Sequence, residues 1–202
     1  MAKKLLQKLS DISKIHHRAA FTDVLKHTAP KTSEFLTLAG KRFSCRSFDA
    51  RTVPDNMVES ILEAARLAPS AVNKQPVHVW VADTQEVLEK LNKATKYLYG
   101  APLVFIVGCN PSEAWVRACD GKNGAEIDAA IVGTHIMMEA ADLGLGSVWV
   151  GSFDPSVLNA EFPELEGWDV VAMFPVGFPS HDALASERHT ARKPIEEFAS
   201  EL

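Results

Sequence analysis

Only three of the 202 residues are cysteine, Cys45, Cys109 and Cys119, an odd number without a CxxC pair. No disulfide framework can be drawn from them, and such thiol usage points to a reducing compartment. Long apolar runs are also missing. No segment approaches membrane-spanning length, and the first residues lack the apolar block and cleavage site of a secretory signal. The expected setting is therefore cytoplasmic, with no membrane span. Positive charge is in deficit, the formal net charge being −5. No overall basic field recommends a nucleic-acid partner. HExxH, GxSxG, P-loop and EF-hand patterns are all absent, as are internal repeats and low-complexity tracts. The G-x-G within GLGSVWVGSFD (144–154) lacks the third glycine of a dinucleotide fingerprint. It also runs into a strand where that fingerprint needs a helix, which excludes a Rossmann site.

What the chain does have is apolar content, 47% of all residues, enough for a core without staples. Residues 1–32 stand apart as a basic N-terminal extension. Leu5, Leu9, Ile12, Ile15 and Ala19, then Phe21, Val24 and Leu25, mark an amphipathic helix over 3–28. Such a helix suits packing on its own domain or a second subunit, or docking a partner or membrane surface. Ala29-Pro30 breaks the pattern, and the main domain is expected over 33–202.

Within it a short helix is predicted from Ser33 to Ala39, capped by Gly40. A second starts at Val53-Pro54-Asp55, carries the stripe Val58, Ile61, Leu62 and Ala65, and ends before Pro69. VHVWVAD (77–83) alternates as a strand, and Asp83 with Glu86 resembles a capping box opening a helix through Leu91. APLVFIVG (101–108) reads as a buried strand. The longest helix places Ile127, Ile131, Thr134, Met138 and Ala141 on one face and stops at Gly144. GSVWVGSF (146–153) is a strand leading to a helix at Asp154-Pro155, and DVVAMFPVGFP (169–179) is the last strand. Four strands alternating with helices make a mixed α and β fold with the long helix central.

Four stretches carry chemistry. In KRFSCRSF (41–48), Arg42 and Arg46 flank Ser44 at alternate positions. Planar guanidinium forks with a hydroxyl suit a phosphate monoester, although a solvated loop pairing with Asp49 or Glu63 would read the same. PSAVNKQP (69–76) offers Ser70, Asn73 and Gln75, groups that donate and accept as a flavin or pterin rim requires, or that simply build a turn. Small residues around Val150, Gly151 and Ser152 would let a flat ring approach the backbone. Arg192, with Lys193 and Pro194, could close over an anion held by the first two arginines. Other features read as structural: His135 as a satisfied core histidine, Glu126 and Asp128 as acids at a helix start. Cys45 has neighbouring charge that could lower its pKa, but no base partner.

Taken in order, R-x-S-x-R, P-S-x-x-N-x-Q-P, a long helix ending G-L-G before V-W-V-G, and a late basic residue ahead of proline resemble the nitroreductase family of FMN-dependent oxidoreductases. RFSCRSF, APSAVNKQP, EIDAAIVGTHIMMEAADLGLGSVWVGSFD and RKPIEEF carry the resemblance, over roughly residues 33–198. Val77 after Q-P, where the family often has an aromatic residue, and Phe43 inside R-x-S depart from it.

The resemblance implies an α+β fold, a central mostly antiparallel sheet flanked by helices, in an intertwined homodimer with FMN at the interface. Arg42 and Arg192 would hold the FMN phosphate. Ser44, with the Phe43 backbone, would lie along the ribityl chain and ring edge, and Arg46 would face flavin N1 and the C2 carbonyl. Pro69, Ser70, Ala71 and Asn73 would reach the flavin from the other subunit, and Val150, Gly151 and Ser152 would approach the opposite side. No side chain is expected to be catalytic, since flavin N5 does the chemistry and Arg46 tunes it. The implied reaction is ping-pong transfer of hydride from NADH or NADPH to a nitroaromatic, quinone or similar small electron-poor acceptor. No metal is called for. Trp115 and residues 120–124 are lid candidates. Alternatives within the fold are a reductive dehalogenase, a dehydrogenase or a flavin-cleaving oxygenase. Outside that chemistry stands a non-catalytic flavin-binding or interaction module docking through the basic helix.

Overall fold

In the computed structural model, which describes residues 33–202, the elements run α1 (Glu34–Lys41), α2 (Asp55–Arg66), β1 (Val77–Ala82), α3 (Gln85–Ala94), β2 (Leu103–Cys109), α4 (Ala125–Asp142), β3 (Gly146–Ser147), α5 (Pro155–Glu161), β4 (Asp169–Gly177) and α6 (Ile195–Phe198). The expected helix over 3–28 lies outside the described residues. Strand order is β1-β2-β4-β3 and every ladder is antiparallel.

β2 is buried at all seven positions, because helices cover both faces of the sheet. Its odd residues Phe105 and Val107 join Ile61, Ala129, Ile136 and Phe174, which puts α2 and α4 on one face. Its even residues Val104 and Ile106 join Leu91, Leu158 and Met173, which puts α3 and α5 on the other. Each fully buried side chain of this kind contributes about 1.5–3 kcal/mol. α4 sits very close to the sheet. A Cβ at Gly133 would stand 2.4 Å from Phe174 Cζ and 2.9 Å from Trp149 Cζ3, so only glycine permits this approach.

Four expectations need correction. The core face of α4 is Ala125, Asp128, Ala129, Val132, Gly133, Ile136 and Ala140, whereas Ile127 is 51% exposed. The helix is apolar on nearly every side, so periodicity alone could not choose a face, and the small residues that permit close approach decided it. The strand over 146–153 is a ladder only at Gly146–Ser147, followed by a single bridge from Val150 to Met173. Opposite the gap lies Pro175, which has no N–H to return the Val148 hydrogen bond. α3 is capped by Thr84, whose side chain accepts from Val87 N–H, and extends to Ala94. Gly40 lies inside α1 rather than beyond its end. Asp154 does cap α5, accepting from Ser156 and Val157 N–H.

Candidate functional site

Residues 44–49 run alongside β3 and past the end of β4. Ser44 bridges Ser147 in parallel, Cys45 N–H donates to the Ser147 carbonyl at 2.9 Å, and Asp49 N–H donates to the Phe178 carbonyl at 2.8 Å. Extended backbone sends alternate side chains to opposite sides. Cys45 points inward and is fully buried; a Cβ on Gly146 would stand 2.7 Å from its Sγ. Ser44 and Arg46 therefore share the outward side; Arg42, whose N–H closes the last turn of α1 on the Leu38 carbonyl, joins them and Phe43 in lining a cleft of about 420 Å³. The Ser44-x-Arg46 half of R-x-S-x-R follows the period of an extended chain, and Arg42 reaches the cleft from the end of α1.

The opposite wall is Ser186, Arg188, His189 and Arg192. A 3₁₀ turn, Glu187–His189, begins where Ser186 Oγ accepts from Arg188 N–H. His189 Nε2 donates to the Gly40 carbonyl at 3.1 Å, and its ring meets Phe43 edge-on at 6.4 Å between centroids. Arg192 Nη1 donates to the Ala191 carbonyl at 2.8 Å. This return of the tail brings Arg192 to the cleft lined by Arg42 and Arg46. Ser186, Arg188 and His189 were missed in the sequence; the available signal was the four-residue step between two arginines in SERHTAR.

Among the described residues no acid lines the cleft, although the whole chain is acidic. The carboxylates that could have neutralised Arg42 and Arg46 are engaged elsewhere: Asp49 pairs with Arg51 at 3.3 Å and Glu63 with Arg66 at 2.7 Å. Among the described residues none of the four cleft arginines forms an ion pair. Planar, forked donors without a paired acid are the chemistry that suits an anion, a phosphate above all.

The remaining predicted residues are not in that cleft. Pro69, Ser70, Ala71 and Asn73 belong to an outlying turn in which Val72, Asn73 and Gln75 have φ of 46°, 57° and 51°. Left-handed backbone costs about 1–2 kcal/mol per non-glycine residue, most for a β-branched one such as Val72. Val150 is buried and bridged to Met173. The Ser152 carbonyl accepts from Thr95 Oγ1 at 2.7 Å, in a separate open groove with Lys96, Tyr97 and Asp154.

Burial raises the Cys45 thiol pKa, opposed by the Ser47 carbonyl contact and, less, by Arg46, so the expected lowering does not occur. Burial pushes Cys109 up to about 11, with Asp169, Glu126 and Asp128 adding to it. Neither thiol is a ready nucleophile. His135 Nδ1 contacts the Ile131 carbonyl at 2.9 Å, the satisfied position expected of it. The loop after Trp115 is a small hairpin closed by the Arg117–Asp120 ion pair, with Gly121 at φ 74°.

Residues 39–98 and 96–178 match the family model described as Nitroreductase family. An archaeal relative from Methanothermobacter thermautotrophicus, provisionally described as an NADH dehydrogenase/NAD(P)H nitroreductase, is 34% identical over 55% of this chain; the match spans 58% of that relative's length. A nitroreductase family protein from Clostridium difficile 630 has a crystal structure similar to this one, with TM-score 0.75 and 37% identity, covering 81% of this chain and 95% of that one. A protein from Desulfovibrio desulfuricans, provisionally described as a nitroreductase and crystallised with FMN, has TM-score 0.67 and 25% identity over 84% of this chain and 97% of its own.

Proposed function

Because the chain belongs to the nitroreductase family, we propose that it is an NAD(P)H-dependent FMN oxidoreductase whose acceptors are nitroaromatics, quinones or similar electron-poor molecules. One observation carries the reading: among the described residues, R-x-S-x-R and the returning tail put four arginines and no carboxylate around one cleft. That donor set fits the phosphate of FMN. Arg42 and Arg192 would hold it from opposite walls, with Arg188 beside them and Ser44 along the ribityl chain. Arg46 lines the same cleft and would put a fixed positive charge at the ring edge where electron density collects on reduction.

FMN held there would supply the hydride-transfer chemistry between NAD(P)H and the acceptor, and no side chain of the protein need react. The protein's task is to bind, orient and bias that ring. Pro69, Ser70, Ala71 and Asn73 stand apart from their own cleft, which suits contact with the FMN of a partner subunit in a homodimer. Val150, Gly151 and Ser152 would close the other side.

Purified protein should be yellow, and should oxidise NADH or NADPH when a nitroaromatic or quinone is added. Colourless protein that takes up no added FMN would end this reading.

A further inference from the structure

Asp128 was read in the sequence as an acid favouring a helix start, and its surroundings ask for more. Its residue is 2% exposed on the sheet-facing side of α4, and Oδ2 has no hydrogen-bond partner among the described residues. Oδ1 accepts from Ala71 N–H at 3.0 Å, across to the turn that follows α2. A half-satisfied buried carboxylate is a poor stabilising device, because an apolar residue would avoid the desolvation. Stability alone does not account for it.

The turn explains it. Its internal hydrogen bonds are Asn73 N–H to the Ser70 carbonyl, Lys74 N–H to the Ala71 carbonyl, Gln75 N–H to Ser70 Oγ and a long Gln75 side-chain contact with the Asn73 carbonyl. Three of its residues hold left-handed backbone, and Val72 is 72% exposed. Neither local propensity nor burial of Val72 favours that shape. Among the described residues, the Asp128 bond is the only hydrogen bond joining Ser70–Gln75 to another element. α4, pressed on the sheet at Gly133, is a rigid anchor for it.

We propose that Asp128 is a positioning residue, whose Oδ1 fixes the strained Ser70–Gln75 turn through Ala71 N–H in the shape that meets the cofactor. The ligand in this inference rests on the FMN reading given above; the tether itself does not.

The test is a fluorescence titration of FMN with the full-length wild type, Asp128→Leu, Asp128→Asn, Ala71→Pro and the Leu/Pro double variant. Asn keeps an acceptor at Oδ1. Pro removes the donor and puts its Cδ where the amide proton meets Oδ1, so it breaks the tether from the turn's side; Ser70, at φ −130° and ψ 160°, already has backbone that tolerates a following proline. Asp128→Leu and Ala71→Pro should each weaken FMN binding by about tenfold or more, as a lost bond to a charged acceptor does. The double variant should lose no more than the weaker single, since one interaction cannot be removed twice. Asp128→Asn should stay within about threefold of wild type, the acceptor being retained. Wild-type affinity in Asp128→Leu, multiplying losses in the double variant, or an Asn variant as weak as Leu would each overturn the proposal. Ala71→Pro changes the turn rather than α4 and decides the matter against Asn even if the Leu variant does not fold. Amide exchange at Ala71 provides a readout that needs no FMN. It should be slow in wild type and Asp128→Asn, and about tenfold faster or more in Asp128→Leu. Unchanged exchange rejects the tether, whereas a wild type that exchanges as expected yet binds no FMN rejects the functional reading alone.

Discussion

Arg42 and Arg192 reach one cleft from opposite ends of the described chain, and their contributions can be separated from that of Arg46. Arg42→Ala should cost about 1.5–3 kcal/mol of FMN binding, the range of a charge-assisted bond to phosphate. Arg42→Lys should fall between, because an ammonium keeps the charge and loses the fork. Both are read from equilibrium titration at fixed ionic strength, and an unchanged dissociation constant for Arg42→Ala would reject the assignment. Arg42, Ser44 and Arg46 were legible in the sequence because they stand within five residues of one another. Arg188 and His189 were not. Their place depends on the His189–Gly40 hydrogen bond, a contact between distant segments that composition cannot reveal. Asp128 in the sequence has only the signature of a helix-start acid, since nothing there brings Ala71 to it.

At the scale of elements, strands and helices followed from pattern, and the errors lay in faces and edges. β2 and β4 were legible as apolar β-rich runs. The 146–153 strand was shortened by Pro175 on its neighbour, a constraint invisible from its own residues. α4 was placed correctly, but it has two apolar stripes and the periodicity picked the outer one. Gly133 is what distinguishes them. Gly133→Ala would put a Cβ 2.4 Å from Phe174 Cζ, and overpacking of this kind costs about 1–3 kcal/mol. The better helix propensity of alanine returns up to about 1 kcal/mol. The net expectation is a loss of about 1–2 kcal/mol in urea unfolding, with the m-value unchanged. A variant more stable than wild type would mean that the Phe174 ring swings aside freely, and that the helix does not depend on this contact.

For the whole molecule, the outer stripe of α4 has its own consequence. Ile127, at 51% exposure, begins a row continued by Ile131, Thr134 and Met138, and the outlying turn adds Val72 at 72%. Apolar surface on α4 and on a turn tethered to α4 by Asp128 is what a second copy of the chain would cover, at the same place where that turn would enter the partner's cleft. Ile127→Arg sets a charge in that stripe without touching the core face or the arginines. If wild type elutes at the mass of two chains, as the proposed homodimer requires, the variant should remain folded by circular dichroism, elute at the mass of a single chain and lose FMN as it dissociates. Loss of both together is required, because each cleft would be completed by the other subunit. A variant that becomes monomeric and keeps FMN at wild-type affinity would show that one chain makes the whole site. The turn at Ser70–Gln75 would then need another purpose.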